Sequence, residues 1–247
     1  MFRKFALLLT CTIVLAAFTA NNSFAQVKKA APAKAAATKK PVAKKVVARP
    51  MAIKAVRVKI VTDSGTLIVR LYDSTPLHRD NFVKLVKENF FDSLLFHRVI
   101  PEFMIQGGDP TSKNAPSGTM LGNGGGDMQR IPAEFRTSLI HKKGVLAAAR
   151  DNNPERASSA CQFYLVEGKK WTDAELDGIE GSIGKKYTPQ QRTLYKTIGG
   201  TPFLDMNYTV FGEVESGIEV IHKIATVPRD GNNRPLGDVR MHIELIK

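Results

Sequence analysis

A chain of 247 residues with 43% hydrophobic and 24% charged residues has room for one large domain or two small ones, and its composition excludes wholesale disorder. A formal charge of +13 raises nucleic acid or an acidic membrane surface as partners. The distribution of that charge argues otherwise: eleven of the 36 Lys and Arg residues and none of the 23 Asp and Glu lie in residues 1–54, which leaves residues 55–247 at +2.

Residues 1–25 have the layout of a cleaved secretory signal. Arg3 and Lys4 precede an apolar run from Phe5 to Ala17, and Ser23-Phe24-Ala25 supplies a small-x-small cleavage pattern. The run falls short of the ~20 residues that span a bilayer. Export is therefore expected, to the periplasm first and to the cell surface or medium as alternatives. Residues 26–54 are almost entirely Ala, Lys, Pro and Val, a composition that repels itself and buries no core. They read as a disordered linker, a solvated spacer; weak electrostatic contact with anionic surfaces is the alternative. Cleavage removes Cys11 and leaves Cys161 alone, so no intramolecular disulfide is expected, and Cys161 reads as a core residue.

From Ala55 onward the pattern is that of strands. Val56, Val58 and Ile60 alternate with Arg57 and Lys59, Asp63-Ser64-Gly65 offers a turn, and Leu67 and Val69 continue the alternation, which predicts a hairpin. Ser74-Thr75-Pro76 supplies a cap and a first-turn proline for a helix carrying Phe82, Leu85, Val86 and Phe90. Further on, Leu95–Val99 and Phe103–Gln106 read as strands, and Gly122-Asn-Gly-Gly-Gly126 as a flexible turn. In residues 169–200, Thr172-x-x-Glu175 and Thr188-Pro189-x-Gln191 are two capping boxes, and Gly199-Gly200 ends the second helix. This stretch reads as a two-helix insertion, decorating a surface loop or shaping substrate access. A last helix is expected over Glu215–Ala225, with Ile218, Ile221 and Ile224 on one face. Short apolar runs separated by Gly, Pro and Asn mark the remainder as an all-β barrel or sandwich.

Metal, nucleotide and hydrolase signatures are missing: there is no HExxH, CxxC, GxSxG or Walker loop, and no cofactor or metal is expected. One segment stands apart, Phe96-His-Arg-Val-Ile-Pro-Glu-Phe-Met-Ile-Gln-Gly-Gly-Asp109. Strand alternation places Arg98 on one face of the first strand, and Met104 and Gln106 together on one face of the second. A guanidinium over an apolar surface suits an uncharged polar ligand with a hydrophobic body.

This segment closely resembles the FHRxxxxFMxQGGD signature of cyclophilin-type peptidyl-prolyl cis-trans isomerases. Thr75-Pro76…Asn81-Phe82, Gly144–Ala149, Gln162-Phe163-Tyr164 and Phe203-Leu204-Asp205…Val210-Phe211-Gly212 are similar to further segments of that family. The resemblance covers roughly residues 56–247, interrupted at 169–200. It implies a closed eight-stranded antiparallel β-barrel capped by two α-helices, acting without cofactor on X–Pro bonds of unfolded or proline-containing polypeptides; a monomer is expected because nothing in the sequence suggests an obligate assembly, and no nucleic-acid partner because residues 55–247 show no basic cluster interleaved with aromatics. It implies that Arg98 is the catalytic arginine. Phe103, Met104, Tyr164 and Leu204 would form the proline pocket; Gln106, Gln162 and the backbone around Ala149 and Arg150 would hold the peptide, and Phe203 and Tyr208 would line the rim. Departures from the family pattern are Tyr164 for phenylalanine, Arg150 for asparagine, Phe203 for the tryptophan that donates to cyclosporin, and Tyr208 for histidine. Weak cyclosporin binding is the expected consequence. The alternative activity is a proline-binding chaperone with little isomerase turnover; a charge-driven surface-attachment or nucleic-acid-binding protein is a more distant rival.

Overall fold

The hairpin forms as its alternation requires. Strand β1 (Arg57–Thr62) and strand β2 (Gly65–Leu71) pair antiparallel from Arg57↔Arg70 to Thr62↔Gly65. Val58, Ile60, Leu67 and Val69 point inward with no exposed surface. The computed structural model describes residues 55–246, so the signal and linker expectations for 1–25 and 26–54 lie outside the described residues. Helix α1 (Pro76–Lys87) follows, then strands β3 (Phe96–Ile100), β4 (Met104–Gly107), β5 (Val145–Ala148) and β6 (Phe163–Val166). Helices α2 (Asp173–Ile183) and α3 (Pro189–Thr197) precede strand β7 (Val210–Ser216), helix α4 (Glu219–Ala225) and strand β8 (Met241–Ile246).

All eight strands join one antiparallel sheet in the order β3-β4-β6-β5-β7-β2-β1-β8. The sheet curls, but the expected closed barrel is corrected to an open, half-barrel form. Its two edge strands meet only at one corner, through an isolated bridge between Leu95 and Arg240 and the backbone bonds Met241 N–H to Leu94 and Phe96 N–H to Val239. Beyond that corner β3 is paired along its length with β4, and β8 with β1.

Two boundaries move for identifiable reasons. The hydroxyl of Thr75 does not cap α1. Glu134, far along the chain, takes the backbone N–H groups of Leu77 (3.2 Å) and His78 (3.0 Å) and also the His78 Nδ1 (2.7 Å). The last helix begins at Glu219 rather than Glu215, because β7 continues through Ser216, paired with Ile68, and Gly217 turns the chain at φ +83°. Ile221 and Ile224 are buried on α4 as expected, whereas Ile218 is exposed.

Burial on both faces distinguishes the central strands. Leu146, Ala148, Phe163, Leu165 and Ile105 enter the main core inside the curl, with Phe82 and Phe91 of the α1 region and Ile221 and Ile224 of α4. The alternate residues Val145, Ala147, Tyr164, Val166 and Met104 form a second apolar cluster on the outer face, with Val210 and Ala149. Period-two geometry thus splits each strand between a core and a surface that needs a cover. The insertion forms a separate small core, in which Leu176, Tyr187 and Tyr195 pack with Ile140 from the loop before β5. Both capping boxes form, Thr172 with Glu175 and Thr188 with Gln191. Thr172→Ala and Thr188→Ala are each expected to cost about 1 kcal/mol, read as a lower urea midpoint.

Candidate active site

The outer-face cluster forms the floor of the site. In the β3–β4 hairpin Arg98 pairs with Gln106, so the two side chains emerge side by side, and Met104 lies two residues along the same face. Gly108 ends the hairpin at φ +90°, where a Cβ would stand 2.1 Å from the Cys161 carbonyl oxygen, so only glycine fits this approach of β4 to the segment before β6.

A hollow of about 100 Å³ is lined by Arg98, Phe103, Met104, Gln106, Ala149, Arg150, Tyr164, Leu204 and Tyr208. Nine of the eleven residues assigned from sequence therefore share one pocket. Phe203 lies outside it on the rim, 41% exposed, its ring centroid 5.8 Å from that of Phe103. Gln162 lines an adjoining depression of about 360 Å³ that shares Gln106, Ala149 and Arg150 with the first and is walled by the loop Gly122–Gly126.

A relay of hydrogen bonds fixes the arginine. Arg98 Nη1 donates to Gln106 Oε1 (3.1 Å), Gln106 Nε2 donates to Gln162 Oε1 (3.0 Å), and Gln162 Nε2 donates to the carbonyls of Gly122 and Gly124 (2.9 Å each). The loop that receives this relay is held in turn by buried Asp109, which accepts the N–H groups of Gly122 and Gly124. Burial opposes the Asp109 charge, but the donors from Thr111, Gly122 and Gly124 hold its pKa below the ordinary carboxylate value. The glycine run that reads as a flexible turn in sequence is thus a fixed wall. The aspartate that organises it belongs to the signature segment, but its partner loop carries no local sequence sign.

Arg98 also lies 5.9 Å from the Phe103 ring centroid. Burial lowers its pKa from the ordinary arginine value, while Tyr208 acts in the opposite direction; a guanidinium stays cationic at neutral pH regardless. A Gln106→Ala substitution, which releases Arg98 from the relay, is expected to lower kcat/KM for an X–Pro peptide by about tenfold, on the scale of a misplaced reacting group.

The groups assigned to hold a peptide are partly paired within the protein. The Ala149 N–H donates to Gln162 O (2.9 Å) and its carbonyl accepts the Ser159 N–H (2.8 Å). The Gln162 amide donates to Gly122 O and Gly124 O and accepts from Gln106. The Arg150 backbone N–H and carbonyl, in contrast, have no partner among the described residues, and Arg150 lines both hollows. Its side chain lies 4.8 Å over the Tyr208 ring, and its Nε donates to Asn207 O at 2.9 Å. Tyr164, whose extra hydroxyl calls for a partner, finds it in His141 Nε2 at 3.0 Å. Cys161 is buried as expected, and burial pushes its thiol pKa up, away from nucleophilic use.

Fold and site together present an oriented cation beside an apolar pocket on the outer face of a curled antiparallel sheet, an arrangement suited to an enzyme that binds its substrate without a metal ligand set among the described residues. Residues 57–244 match the family described as "Cyclophilin type peptidyl-prolyl cis-trans isomerase/CLD". The chain belongs to that family. A Streptococcus pyogenes protein named "Putative bifunctional phosphatase/peptidyl-prolyl cis-trans isomerase" is 33% identical over 186 residues, covering 74% of this chain but only 37% of that one. A Staphylococcus aureus "Putative peptidyl-prolyl cis-trans isomerase" is 31% identical over 186 residues, covering 74% of this chain and 88% of its own. A crystal structure of a cyclophilin type peptidyl-prolyl cis-trans isomerase from Cryptosporidium parvum shares the fold, with a TM-score of 0.57 at 21% identity over 78% of this chain and 99% of that one. A second structure of that protein, in the presence of the dipeptide Ala-Pro, gives a TM-score of 0.55 over 77% of this chain.

Proposed function

We propose that this protein accelerates rotation about X–Pro bonds in exported polypeptides as they fold. The observation that carries this reading is Arg98, held by Gln106 beside a pocket of Phe103, Met104, Tyr164 and Leu204. Amide resonance sets a barrier of about 18–20 kcal/mol to the rotation. No covalent step is needed to lower it, only tighter binding of the twisted amide than of either planar form. In the twisted state the prolyl nitrogen becomes pyramidal and basic. The guanidinium has five N–H donors, and Gln106 occupies one of them. A remaining N–H donates to that nitrogen in the twisted state only, which is the differential interaction catalysis requires. The apolar walls grip the pyrrolidine ring and keep out water that would favour the polar planar amide. The unpaired N–H and carbonyl of Arg150 take the substrate backbone in an extended, strand-like pose.

The relative crystallised with Ala-Pro supports a proline-containing peptide as substrate class. Export, with the periplasm as the first compartment reached, rests on the tripartite pattern of residues 1–25. Cyclosporin binds weakly in this reading: Phe203 has no indole donor, and the nearby Trp171 spends its Nε1–H on Gly200 O at 2.8 Å. The test is cis-trans exchange of a chromogenic Ala-Pro peptide at catalytic concentrations of the protein. Acceleration is expected; peptide binding without acceleration would turn the reading to that of a proline-binding chaperone.

A further inference from the structure

The insertion does more than decorate a loop. Asp205 has no exposed surface, and its carboxylate receives five donors. Oδ1 accepts the backbone N–H (2.8 Å) and Nδ1 (2.7 Å) of His141. Oδ2 accepts the hydroxyls of Tyr195 (2.7 Å) and Tyr187 (2.8 Å) and, at 3.5 Å, the Lys185 ammonium. Tyr195, Tyr187 and Lys185 all come from the insertion; Asp205 and His141 lie outside it. A carboxylate in a dry interior is costly unless donors surround it, and the donors then dictate its orientation.

That orientation reaches the pocket through one imidazole. A carboxylate only accepts, so His141 carries its proton on Nδ1, and in the neutral ring Nε2 is left as an acceptor. The acceptor takes the Tyr164 hydroxyl at 3.0 Å, and the two rings stack nearly parallel, 13° apart with centroids at 6.1 Å. Tyr164 is a wall of the hollow that holds Arg98, and its ring meets Tyr208 edge-on at 6.0 Å. If Tyr164 turned away, both its hydroxyl and His141 Nε2 would be left unpaired in a buried site. A phenylalanine at 164 would have no such tie.

We propose that Tyr195 and Tyr187 of the insertion are positioning residues for the proline pocket, acting through Asp205 and His141 on Tyr164. The proposal rests on the pocket reading given above. A purely structural role for the two tyrosines, pinning the insertion to the sheet, would lower stability and leave the pocket untouched. The two roles are separated by measuring KM, kcat and equilibrium binding of one Ala-Pro peptide with the full chain.

Tyr195→Phe is expected to raise KM and Kd about threefold to tenfold with little change in kcat, the mark of lost binding common to ground and transition states. In a Tyr164→Phe background the same substitution is expected to have no further effect. Tyr187→Phe removes one donor and leaves Tyr195 in place, so it serves as the test should Tyr195→Phe fail to fold. An unchanged KM and Kd in the folded variants overturns the proposal, and so does an effect that persists undiminished in the Tyr164→Phe background. The Arg98→Ala variant reports separately on the isomerase reading: its turnover speaks to that reading, whereas the coupling of Tyr195 to Tyr164 is read from Kd alone.

Discussion

Arg98→Ala is expected to lower kcat/KM for an Ala-Pro peptide by about 10²-fold or more, the scale on which loss of one preorganised transition-state donor is felt. The fall is expected in kcat, because the prolyl nitrogen accepts a hydrogen bond only when the amide has twisted out of conjugation. Peptide affinity should change less, since Phe103, Met104, Tyr164 and Leu204 still line the pocket. Arg98→Lys should recover little. An ammonium keeps the charge, but it cannot donate to Gln106 Oε1 and to a substrate nitrogen from one rigid planar fork. Stopped-flow or protease-coupled exchange kinetics on both variants give the answer, and wild-type kcat in Arg98→Ala would remove the arginine from the mechanism.

A second large effect is expected on stability. His97 follows the signature phenylalanine, is 3% exposed, and among the described residues has no well-formed hydrogen-bond partner at either ring nitrogen, the Leu95 backbone being the polar group that approaches it. Burial pulls its pKa down to about 4, against the pull of nearby Asp109 in the other direction. An unfolded histidine titrates near 6.5. Between these values the unfolded chain binds the proton and the folded one does not. The contribution of a neutral His97 is therefore complete above about pH 6.5 and is lost as pH falls toward 4. The loss amounts to about 3 kcal/mol. His97→Leu, apolar and of similar volume, is expected to reduce by that amount the difference between the unfolding free energies measured in urea at pH 7 and pH 4. Equal pH slopes for wild type and variant would show that the buried imidazole does not set this dependence. His78, also held below its ordinary value by burial, titrates in both proteins and cancels in the comparison.

Most of the fold was legible wherever the signal is local. The β1–β2 hairpin follows from alternation, and both helices of the insertion from capping boxes whose partners stand three residues apart. In the signature segment the strands lie one residue later than expected, at Phe96–Ile100 and Met104–Gly107. The faces survive the shift, because Arg98, Met104 and Gln106 keep their spacing. The cap of α1 was not legible: Thr75 has the residue type for it, but Glu134 does the capping from a loop brought close only by folding. Closure of the sheet was not legible either, since it depends on whether two edge strands meet along their length or, as here, at one corner.

The site divides in the same way. All nine pocket residues could be named, Arg98, Met104 and Gln106 with help from the two-residue pleat, and Phe103, Ala149, Arg150, Tyr164, Leu204 and Tyr208 only through the resemblance to segments of the family. What each polar group does with its donors and acceptors could not. The Ala149 backbone and the Gln162 amide are hydrogen-bonded within the protein, the Arg150 backbone has no partner among the described residues, and the glycine loop at 122–126 is bonded to Asp109.

The sequence by itself determined where the +13 charge lies, that Met104 and Gln106 share a strand face, and that an arginine stands close by among bulky apolar residues. Only the tertiary structure decided how that arginine is aimed and that the insertion grips Asp205 behind the pocket. The physical reason is that hydrophobic periodicity is written into neighbouring residues. A buried polar group, in contrast, takes whichever partner the packed chain brings within 3 Å, and the relay from Arg98 through Gln106 ends where Gln162 meets carbonyls some forty residues before it.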